Sequence, residues 1–276
     1  MIKKCLFPVA GYGTRFLPAT KSMPKEMLPV VNKPLVQYGV EESLDAGLTE
    51  IGFVTGRGKR AIADHFDVSY ELEHQIAGTA KEKYLRSIRD VMARGSFSFT
   101  RQPEMRGLGD AILNGRRLIG DEPFGVVLSD DLCINPDGDG VLAQMVTLYK
   151  QFRCSIVAIQ EVPEDMIHKF GVIAGSQLKE GIVQISDMVE KPDAKDAPSN
   201  LAVIGRYILT PDIFDILQST APGKNGEVQL TDALMTQAQK GCVLGYKFKG
   251  RRFDCGSVAG FVDATNYIYQ NLYQEI

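Results

Sequence analysis

The sequence predicts an α/β fold, with a mixed, mostly parallel central sheet and helices on both of its faces. Short apolar segments rich in β-branched and aromatic residues alternate with amphipathic helical segments through the first half of the chain, as in parallel sheets covered by helices. The chain has 276 residues, of which 44% are apolar, enough to bury one large core. We therefore predict a single domain over residues 1–276.

The spacing of apolar residues assigns the elements of the first half. The predicted strands are residues 3–9, 51–55, 97–100, 124–129 and 154–161. Two helices carry apolar residues along one face, namely Leu35, Val36, Val40 and Leu44 before Gly47, and Val141, Met145 and Leu148. Residues 70–94 are charged with helical periodicity, which predicts an inserted arm whose inward positions are Leu72, Ile76, Leu85, Ile88 and Val91.

Strand-like segments lie closer together after residue 160, which predicts mixed pairing in the second half. These segments are 171–173, 182–189, 201–209 and 243–248. Residues 190–200 are rich in Pro, Asp and Lys and are predicted to form an exposed loop between two strands. Helices are predicted at about 230–240 and about 258–273, the second with Phe261, Ala264, Ile268 and Leu272 along one side. That side is predicted to pack internally or against a second subunit.

Charge and cysteine content disfavour several kinds of partner. The formal net charge of -3 offers no basic field for a polynucleotide, so we predict no nucleic-acid partner. The cysteines at positions 5, 133, 154, 242 and 255 have no zinc-binding spacing and suit reduced, buried thiols. The sequence shows no signal segment and no apolar run long enough for a bilayer, so we predict a cytoplasmic protein without a membrane partner.

The residues after the first strand predict a site for a chain of phosphates. Gly11 and Gly13 let backbone N–H groups approach an anion, and Arg15, Lys21 and Lys25 add positive charge nearby. Open α/β sheets bind ligands at the carboxyl ends of their strands, where this turn lies. The predicted ligand is a nucleoside triphosphate. The alternative interpretation is an ordinary turn with solvated cations.

Two other classes of site are disfavoured. A dinucleotide-binding G-x-G-x-x-G would need a third glycine where this chain has Phe16, and Pro18 opposes the expected helix start. A Ser-His-Asp hydrolase lacks a good candidate base, because His65 and His74 lie in charged, helix-like surroundings typical of a surface.

Asp130 is the candidate metal ligand. It follows the apolar strand Phe124–Leu128, at the same predicted sheet edge as the glycine turn. Mg²⁺ prefers one or two carboxylates together with phosphate oxygens and water. The alternative interpretation is a turn or helix cap. The adjacent Asp131 could also be the ligand, but neighbouring side chains of a strand point to opposite faces, and we favour Asp130.

These features resemble the sugar-phosphate nucleotidyltransferases over nearly the whole chain. The matching segments are residues 10–21, 24–29, 101–102, 107–109, 170–172, 189–192, 197–202, 205–207, 227–232 and 254–256. Several are weak individually, but together and in this order they are highly specific. The resemblance implies a Rossmann-like nucleotide-diphospho-sugar transferase fold, with a nucleotide-binding half at about 1–130, a sugar-binding half at about 131–256 and a C-terminal helix.

The resemblance also implies Mg²⁺-dependent nucleotidyl transfer. A phosphate oxygen of α-D-glucose 1-phosphate would attack the α-phosphorus of UTP in line, giving UDP-glucose and pyrophosphate. A phosphate monoester has a second pKa of about 6 and is largely dianionic at neutral pH, so it needs no general base. Only three histidines occur in the chain, as expected for such chemistry. Catalysis would come from positioning, cations and metal.

The resemblance assigns roles to individual residues. The nucleotide is expected to contact Ala10, Gly11, Gly13, Thr14, Arg15, Lys25, Gln102, Gly107 and Asp130. The sugar phosphate is expected to contact Gly171, Glu190, Lys191, Asn200, Gly205 and Glu227. The expected catalytic residues are Arg15, Lys25, Asp130 and Lys191, and the expected Mg²⁺ ligands are Asp130 and Asp254. Gln102 offers a donor and an acceptor to the edge of uracil. Glu190 could instead be a solvent-exposed partner of Lys191 or Lys195.

Two alternative functions stay open at this point. One is thymidylyl transfer to glucose 1-phosphate, because thymine differs from uracil only by a methyl group. The other is a catalytically silent homologue that binds nucleotide sugars and regulates a partner, although its cation and carboxylate positions are intact. The resemblance further implies a homodimer or homotetramer.

Overall fold

The computed structural model describes residues 2–223, 226–241 and 243–273. In these ranges nine strands form one central sheet, and two further pairs of short strands form ladders of their own. The strands are β1 (Lys4–Val9), β2 (Pro29–Val30), β3 (Lys33–Pro34), β4 (Glu50–Thr55), β5 (Ser96–Arg101), β6 (Phe124–Val127), β7 (Asp131–Ile134), β8 (Ser155–Glu161), β9 (Gly171–Lys179), β10 (Ile182–Glu190), β11 (Leu201–Leu209), β12 (Val243–Lys247) and β13 (Arg251–Asp254). The α-helices are α1 (Leu35–Asp45), α2 (Arg60–His65), α3 (Tyr70–Ile76), α4 (Arg86–Arg94), α5 (Gly107–Asn114), α6 (Arg116–Ile119), α7 (Val141–Phe152), α8 (Ile213–Ser219), α9 (Leu230–Lys240) and α10 (Val258–Asn271).

The central sheet has the order β5-β4-β1-β6-β11-β8-β12-β10-β9. Its first part is parallel, because β1 pairs in parallel with β4 and β6, and β4 with β5. β11 runs antiparallel to both β6 and β8, so the sheet is mixed from this strand onward. The carboxyl ends of β1, β4, β5 and β6 therefore share one edge of the sheet, where ligands bind in folds of this kind.

Apolar side chains cover both faces of the sheet. Along β1, Cys5, Phe7 and Val9 belong to one core cluster and Leu6 to another, because neighbouring side chains of a strand face opposite sides. Helices α1 and α7 pack on the first face, and α5, α8 and α9 pack on the second. The predicted α/β fold with helices on both faces is confirmed.

A short ladder outside the central sheet brings two distant segments together. β7 pairs antiparallel with β13, and Asp131 lies opposite Asp254 in the register. β6 ends at Val127, earlier than the predicted strand end at residue 129, because the chain turns from β6 into β7 over residues 128–130. Asp130 therefore occupies the turn between two strands.

The charged segment 70–94 departs in part from its prediction. It divides into α3, a 3-10 segment (Ala80–Leu85) and α4, so its apolar residues do not share one continuous helix face. Ile76 and Val91 are buried as predicted, but Leu72 is 47% exposed and its predicted inward position is wrong.

The terminal helix α10 packs one side against the β13 segment. Ala264 and Ile268 are buried in a cluster with Phe253, and Phe261 is half-buried beside them. Leu272 follows the end of α10 and is 42% exposed, so its predicted place on the packed side is wrong. Among the described residues, no helix has both the length and the apolar content to span a membrane. The predicted packing of Cys242 lies outside the described residues.

Candidate active site

A cavity of about 730 Å³ lies where the turn after β6, the β7–β13 ladder and the second half of the sheet meet. Many of the predicted site residues line it: Arg15, Gly107, Asp130, Gly171, Glu190, Lys191, Gly205, Glu227 and Asp254. The cavity therefore contains both the predicted metal ligands and most of the predicted sugar-phosphate residues.

The glycine segment after β1 is an open loop that leads into a 3-10 turn (Thr14–Phe16). Gly13 has a φ of 67°, and a Cβ added there would lie 3.0 Å from the Lys25 Cβ. Thr20 Oγ1 donates a hydrogen bond to the Gly13 carbonyl at 2.7 Å and fixes the loop. Gly11, Thr14 and Arg15 are exposed, whereas Ala10 is buried at the strand end. The loop thus needs glycine at position 13 and presents its other residues to solvent.

Lys25 joins the loop to the carboxylate after β6. It begins a 3-10 turn (Lys25–Met27), and its Nζ lies 2.6 Å from Asp130 Oδ2. The neighbouring Glu26 is buried in an ion pair with Lys59, at 2.7 Å, which anchors the turn to the loop after β4. Burial lowers the pKa of the Lys25 ammonium, but the charges of Asp130 and Glu26 outweigh it, and the pKa lies above its ordinary value. Lys25 is therefore held as a cation.

The two adjacent aspartates have opposite environments. Burial raises the pKa of the Asp130 carboxyl, but the charge and hydrogen bond of Lys25, together with Arg15, outweigh burial and hold that pKa below its ordinary value. For Asp131 burial dominates, and its pKa is raised despite the charge of Arg252. Asp131 Oδ2 accepts a 2.7 Å hydrogen bond from the Gly205 N–H. Asp130 therefore pairs with Lys25, whereas Asp131 accepts hydrogen bonds from Arg252 and from the Gly205 N–H.

Asp254 lies close to Asp130 because of the β7–β13 ladder. A Cβ built on Gly256 would lie 3.1 Å from both Asp130 Oδ2 and Asp254 Oδ1, and 3.0 Å from Arg15 Nη1. Arg15 Nη1 donates to the Gly256 carbonyl at 2.9 Å, and the Gly256 N–H donates to Asp254 Oδ1 at 3.1 Å. Two carboxylates and a guanidinium therefore converge on one point beside a glycine.

The sugar-side residues cluster at the end of β10. Thr231 Oγ1 donates to Glu190 Oε2 at 3.2 Å, and Lys191 Nζ lies 3.3 Å from Glu190 Oε1. A Cβ on Gly171 would lie 2.7 Å from the Thr231 Cγ2, so glycine at this position leaves space for the Thr231 side chain that bonds to Glu190. Glu190 does pair with Lys191, as in the alternative interpretation, but its side chain is 24% exposed and lines the cavity.

Gln102 is buried, and among the described residues it is not part of the cavity lining. Its Nε2 donates to Asp110 Oδ2 at 2.7 Å and to the Gly107 carbonyl at 3.2 Å. With both amide hydrogens bonded inside the protein, the Oε1 acceptor is the group left for a ligand. Gly107 has a φ of 92°, and a Cβ there would lie 2.8 Å from the Val228 carbonyl oxygen.

The cavity lining differs from the predicted set of site residues at several positions. Asn200 is exposed and is absent from the cavity lining among the described residues, and its carbonyl accepts from the Val162 N–H at 3.0 Å. Glu227 lines the cavity and accepts from Gln229 Nε2 at 2.9 Å. The lining residues that sequence reasoning did not assign include Phe170, Tyr207, Thr231 and Arg252. Arg252 lies two residues before Asp254 on β13, so both side chains are on the same face of the strand. This spacing could have identified Arg252 from the sequence.

The chain is similar to known proteins over nearly its whole length. The family model described as nucleotidyl transferase matches residues 8–271. The chain is 70% identical over 274 residues to a UTP--glucose-1-phosphate uridylyltransferase of Pseudomonas aeruginosa, covering 99% of this chain and 98% of that protein. A solved UDP-glucose pyrophosphorylase complexed with UDP-glucose has a TM-score of 0.92 at 58% identity, covering 98% of this chain and 99% of that one. A UTP-bound UGPase from Acinetobacter baumannii has a TM-score of 0.90 at 36% identity, with 99% and 95% covered.

Proposed function

Because this chain belongs to the nucleotidyl transferase family, we propose that it transfers the uridylyl group of UTP to α-D-glucose 1-phosphate, with UDP-glucose and pyrophosphate as products. The names of its relatives and the UDP-glucose complex support this pair of substrates. One structural observation carries the proposal, namely the cavity that holds Asp130 and Asp254 together with Glu190 and Lys191. Such a cavity can hold a nucleotide phosphate and a sugar phosphate side by side.

On the nucleotide side, the loop after β1 binds the triphosphate. Ala10, Gly11, Gly13 and Thr14 offer backbone donors, and Arg15 neutralises the departing pyrophosphate. Lys25, which donates a hydrogen bond to Asp130, contacts the α-phosphate when the nucleotide is bound. The uracil edge meets Gln102 Oε1 and the backbone at Gly107, because the Gln102 amide nitrogen is already bonded.

The donor set fits a divalent cation such as Mg²⁺. Asp130 and Asp254 supply carboxylate oxygens around one point, and Mg²⁺ takes one or two carboxylates with phosphate oxygens and water. In the part of the chain that the structure describes, no group of three or more His, Cys, Asp or Glu residues is arranged to hold a metal. When bound, the cation would neutralise and orient the phosphate oxygens.

On the sugar side, Lys191 holds the phosphate and Glu190 accepts hydrogen bonds from sugar hydroxyls. The Lys191 side chain lines the cavity and is 56% exposed, so it can change conformation to pair with a phosphate that binds there. Gly171 and Gly205 line the cavity and are proposed to contact the sugar phosphate through the main chain, while protein side chains fill the space where a Cβ of either residue would lie. Glu227 and Asn200 are further proposed contacts, and Asn200 would have to reach the sugar from outside the cavity lining.

The reaction needs no proton abstraction by the protein. The sugar phosphate is largely dianionic at neutral pH, with a second pKa of about 6. Among the residues that the structure describes, no histidine lines the cavity. The barrier is lowered by the alignment of two anions and by the cations Arg15, Lys25 and Lys191.

A pyrophosphate-release assay with glucose 1-phosphate and Mg²⁺ tests the function, with UTP, dTTP, ATP and GTP compared. The expected result is release that requires the sugar phosphate and is fastest with UTP. Faster release with dTTP would overturn the uridylyl assignment in favour of thymidylyl transfer. UTP binding without any pyrophosphate release would point to a silent homologue.

We also propose that the chain forms a cytoplasmic homodimer or homotetramer. The outer side of α10 supports self-association, because Val258, Val262 and Tyr269 are each more than half exposed there. Light scattering after size exclusion should give the mass of two or four chains, and the mass of one chain would contradict the proposal.

A further inference from the structure

We infer that Asp131 and Arg252 are positioning residues that hold Asp130 and Asp254 in register for the cation. The inference rests on the metal site of the proposed function. Neither residue is needed as a ligand, because each is bonded to other groups of the protein.

Both carboxylate oxygens of Asp131 already have protein donors. Arg252 Nε donates to Asp131 Oδ1 at 2.5 Å, and Arg252 Nη2 contacts the same oxygen. Asp131 Oδ2 accepts from the Gly205 N–H at 2.7 Å. The side chains of Asp131 and Arg252 are only 13% and 11% exposed. A charged pair so placed is strongly directional, because little water competes for its hydrogen bonds.

The pair joins the three strands that frame the carboxylates. Asp131 begins β7 directly after Asp130, and Arg252 lies on β13 two residues before Asp254. Side chains two apart on a strand share a face, so Arg252 and Asp254 point to the same side. Gly205 on β11 completes the set, and a Cβ there would lie 2.7 Å from Asp131 Oδ2. The bonds therefore fix β7, β13 and β11 relative to one another.

Arg252 also reaches the sugar side of the cavity. Its Cζ lies 5.0 Å from the centre of the Phe170 ring, within the range of a cation–π contact. The Phe170 carbonyl accepts from the Lys191 N–H at 2.9 Å. The same guanidinium thus links the carboxylate pair to the segment that carries the proposed sugar-phosphate lysine. Groups that orient metal ligands in this way typically contribute about 10 to 100-fold to metal affinity or activity.

The test compares Asp131→Asn and Arg252→Met with wild type by electron paramagnetic resonance of Mn²⁺, alone and with UTP. In the presence of UTP we expect each variant to bind Mn²⁺ about 10 to 100-fold more weakly, with a similar loss of kcat. The KM for UTP should change less than kcat, because the glycine loop is untouched. Glu161→Gln is the matched control, since it removes the carboxylate of an exposed ion pair with Lys247 outside the cavity, and it should bind Mn²⁺ as wild type does.

Each outcome decides the inference. Wild-type Mn²⁺ affinity in folded Asp131→Asn and Arg252→Met would overturn the inference. If Asp130→Asn alone lost Mn²⁺ affinity, the assignment of Asp130 as a metal ligand would stand and only the positioning inference would fail. Normal affinity in Arg252→Met with complete loss in Asp131→Asn would make Asp131 a ligand and also overturn it. Absence of Mn²⁺ binding by wild type with UTP would overturn both the metal site and the inference. Arg252→Lys keeps the charge without the forked donor, so if Arg252→Met fails to fold, wild-type affinity in Arg252→Lys overturns the inference.

Discussion

Lys25 Nζ and Asp130 Oδ2 lie 2.6 Å apart, so a proposed phosphate-binding cation and a proposed metal ligand form an ion pair. Lys25 begins a 3-10 turn, and Asp130 lies in the turn between β6 and β7, so two segments that are distant in the chain meet here. In the proposed reaction, Lys25 passes to the α-phosphate and Asp130 is left as an oxygen donor. Nucleotide and cation should therefore favour each other's binding.

The Lys25→Met variant tests this relationship through turnover. It keeps most of the side-chain length but cannot stabilise charge on the α-phosphate, so kcat should fall about 100 to 1,000-fold, more than the affinity for UTP falls. Single-turnover kinetics and equilibrium UTP binding measure the two quantities. Lys150→Met, on the exposed side of α7, is the control and should behave as wild type. Wild-type kcat in Lys25→Met would remove Lys25 from catalysis.

The same variant should change how stability depends on pH. Because the pKa of Asp130 lies below its ordinary value of 3.8, its ionisation stabilises the fold fully above that value, and this stabilisation is lost as the pH falls through the folded-state pKa. Lys25→Met removes the charge and the hydrogen bond that lower the pKa of Asp130, while the burial that raises this pKa stays. The pKa of Asp130 should therefore rise above 3.8 in the variant. The free energy of unfolding of Lys25→Met, relative to wild type, should then decrease from about pH 4 to about pH 7. Urea denaturation across this range measures it, and a difference independent of pH would contradict the argument.

Asp130→Asn should abolish most metal-dependent turnover and spare the fold. Asparagine keeps the shape but removes the charge, so kcat should fall at least about 100-fold while the secondary structure is kept. Circular dichroism and the pyrophosphate assay check the two halves of this prediction. Asp137→Asn, exposed between β7 and α7, is the control. If Asp130→Asn turns over like the control, Asp130 has no role in metal binding.

Glu190→Gln should mainly weaken the choice of sugar. The amide can still bond to Thr231, but it accepts fewer hydroxyl hydrogen bonds and no longer pairs with Lys191 as a charge. The preference for glucose 1-phosphate over other hexose 1-phosphates should drop about 10-fold or more. Ratios of kcat/KM measure this preference, with Glu71→Gln on the exposed arm as the control. Unchanged discrimination would place Glu190 outside the sugar site.

Gly13→Ala separates backbone strain from crowding in the nucleotide loop. Gly13 and Gly47 both have positive φ, but only a Cβ at position 13 meets other atoms, including the Lys25 Cβ at 3.0 Å. Both alanine variants should lose about 1 to 2 kcal/mol of stability from the left-handed conformation. Only Gly13→Ala should also weaken UTP binding, as measured by calorimetry. Equal UTP affinity in the two variants would show that the loop does not approach the triphosphate.

Local sequence patterns predicted the frame of the site but not its connections. The buried strand β6 and the polar residues after it were enough to identify Asp130 as a candidate metal ligand. A change from buried apolar residues to polar residues indicates where a central strand ends, and ligands bind at that edge of the sheet. The bonds of Asp131 could not be predicted, since they depend on β13 and β11, which lie far away in the chain. Leu72 was misplaced because a helical period does not show where a helix is interrupted. The family resemblance, which the comparisons confirm, supplied the roles that no local pattern could give.

The most direct test of the account is the stereochemical course at the α-phosphorus. Its central claim is that the sugar phosphate attacks this phosphorus in a single in-line step between cationic side chains, without a covalent enzyme intermediate. A UTP α-thiophosphate of one configuration should give UDP-glucose α-thiophosphate with inverted configuration, which ³¹P NMR distinguishes. Retention of configuration would mean two successive displacements, and it would contradict the account.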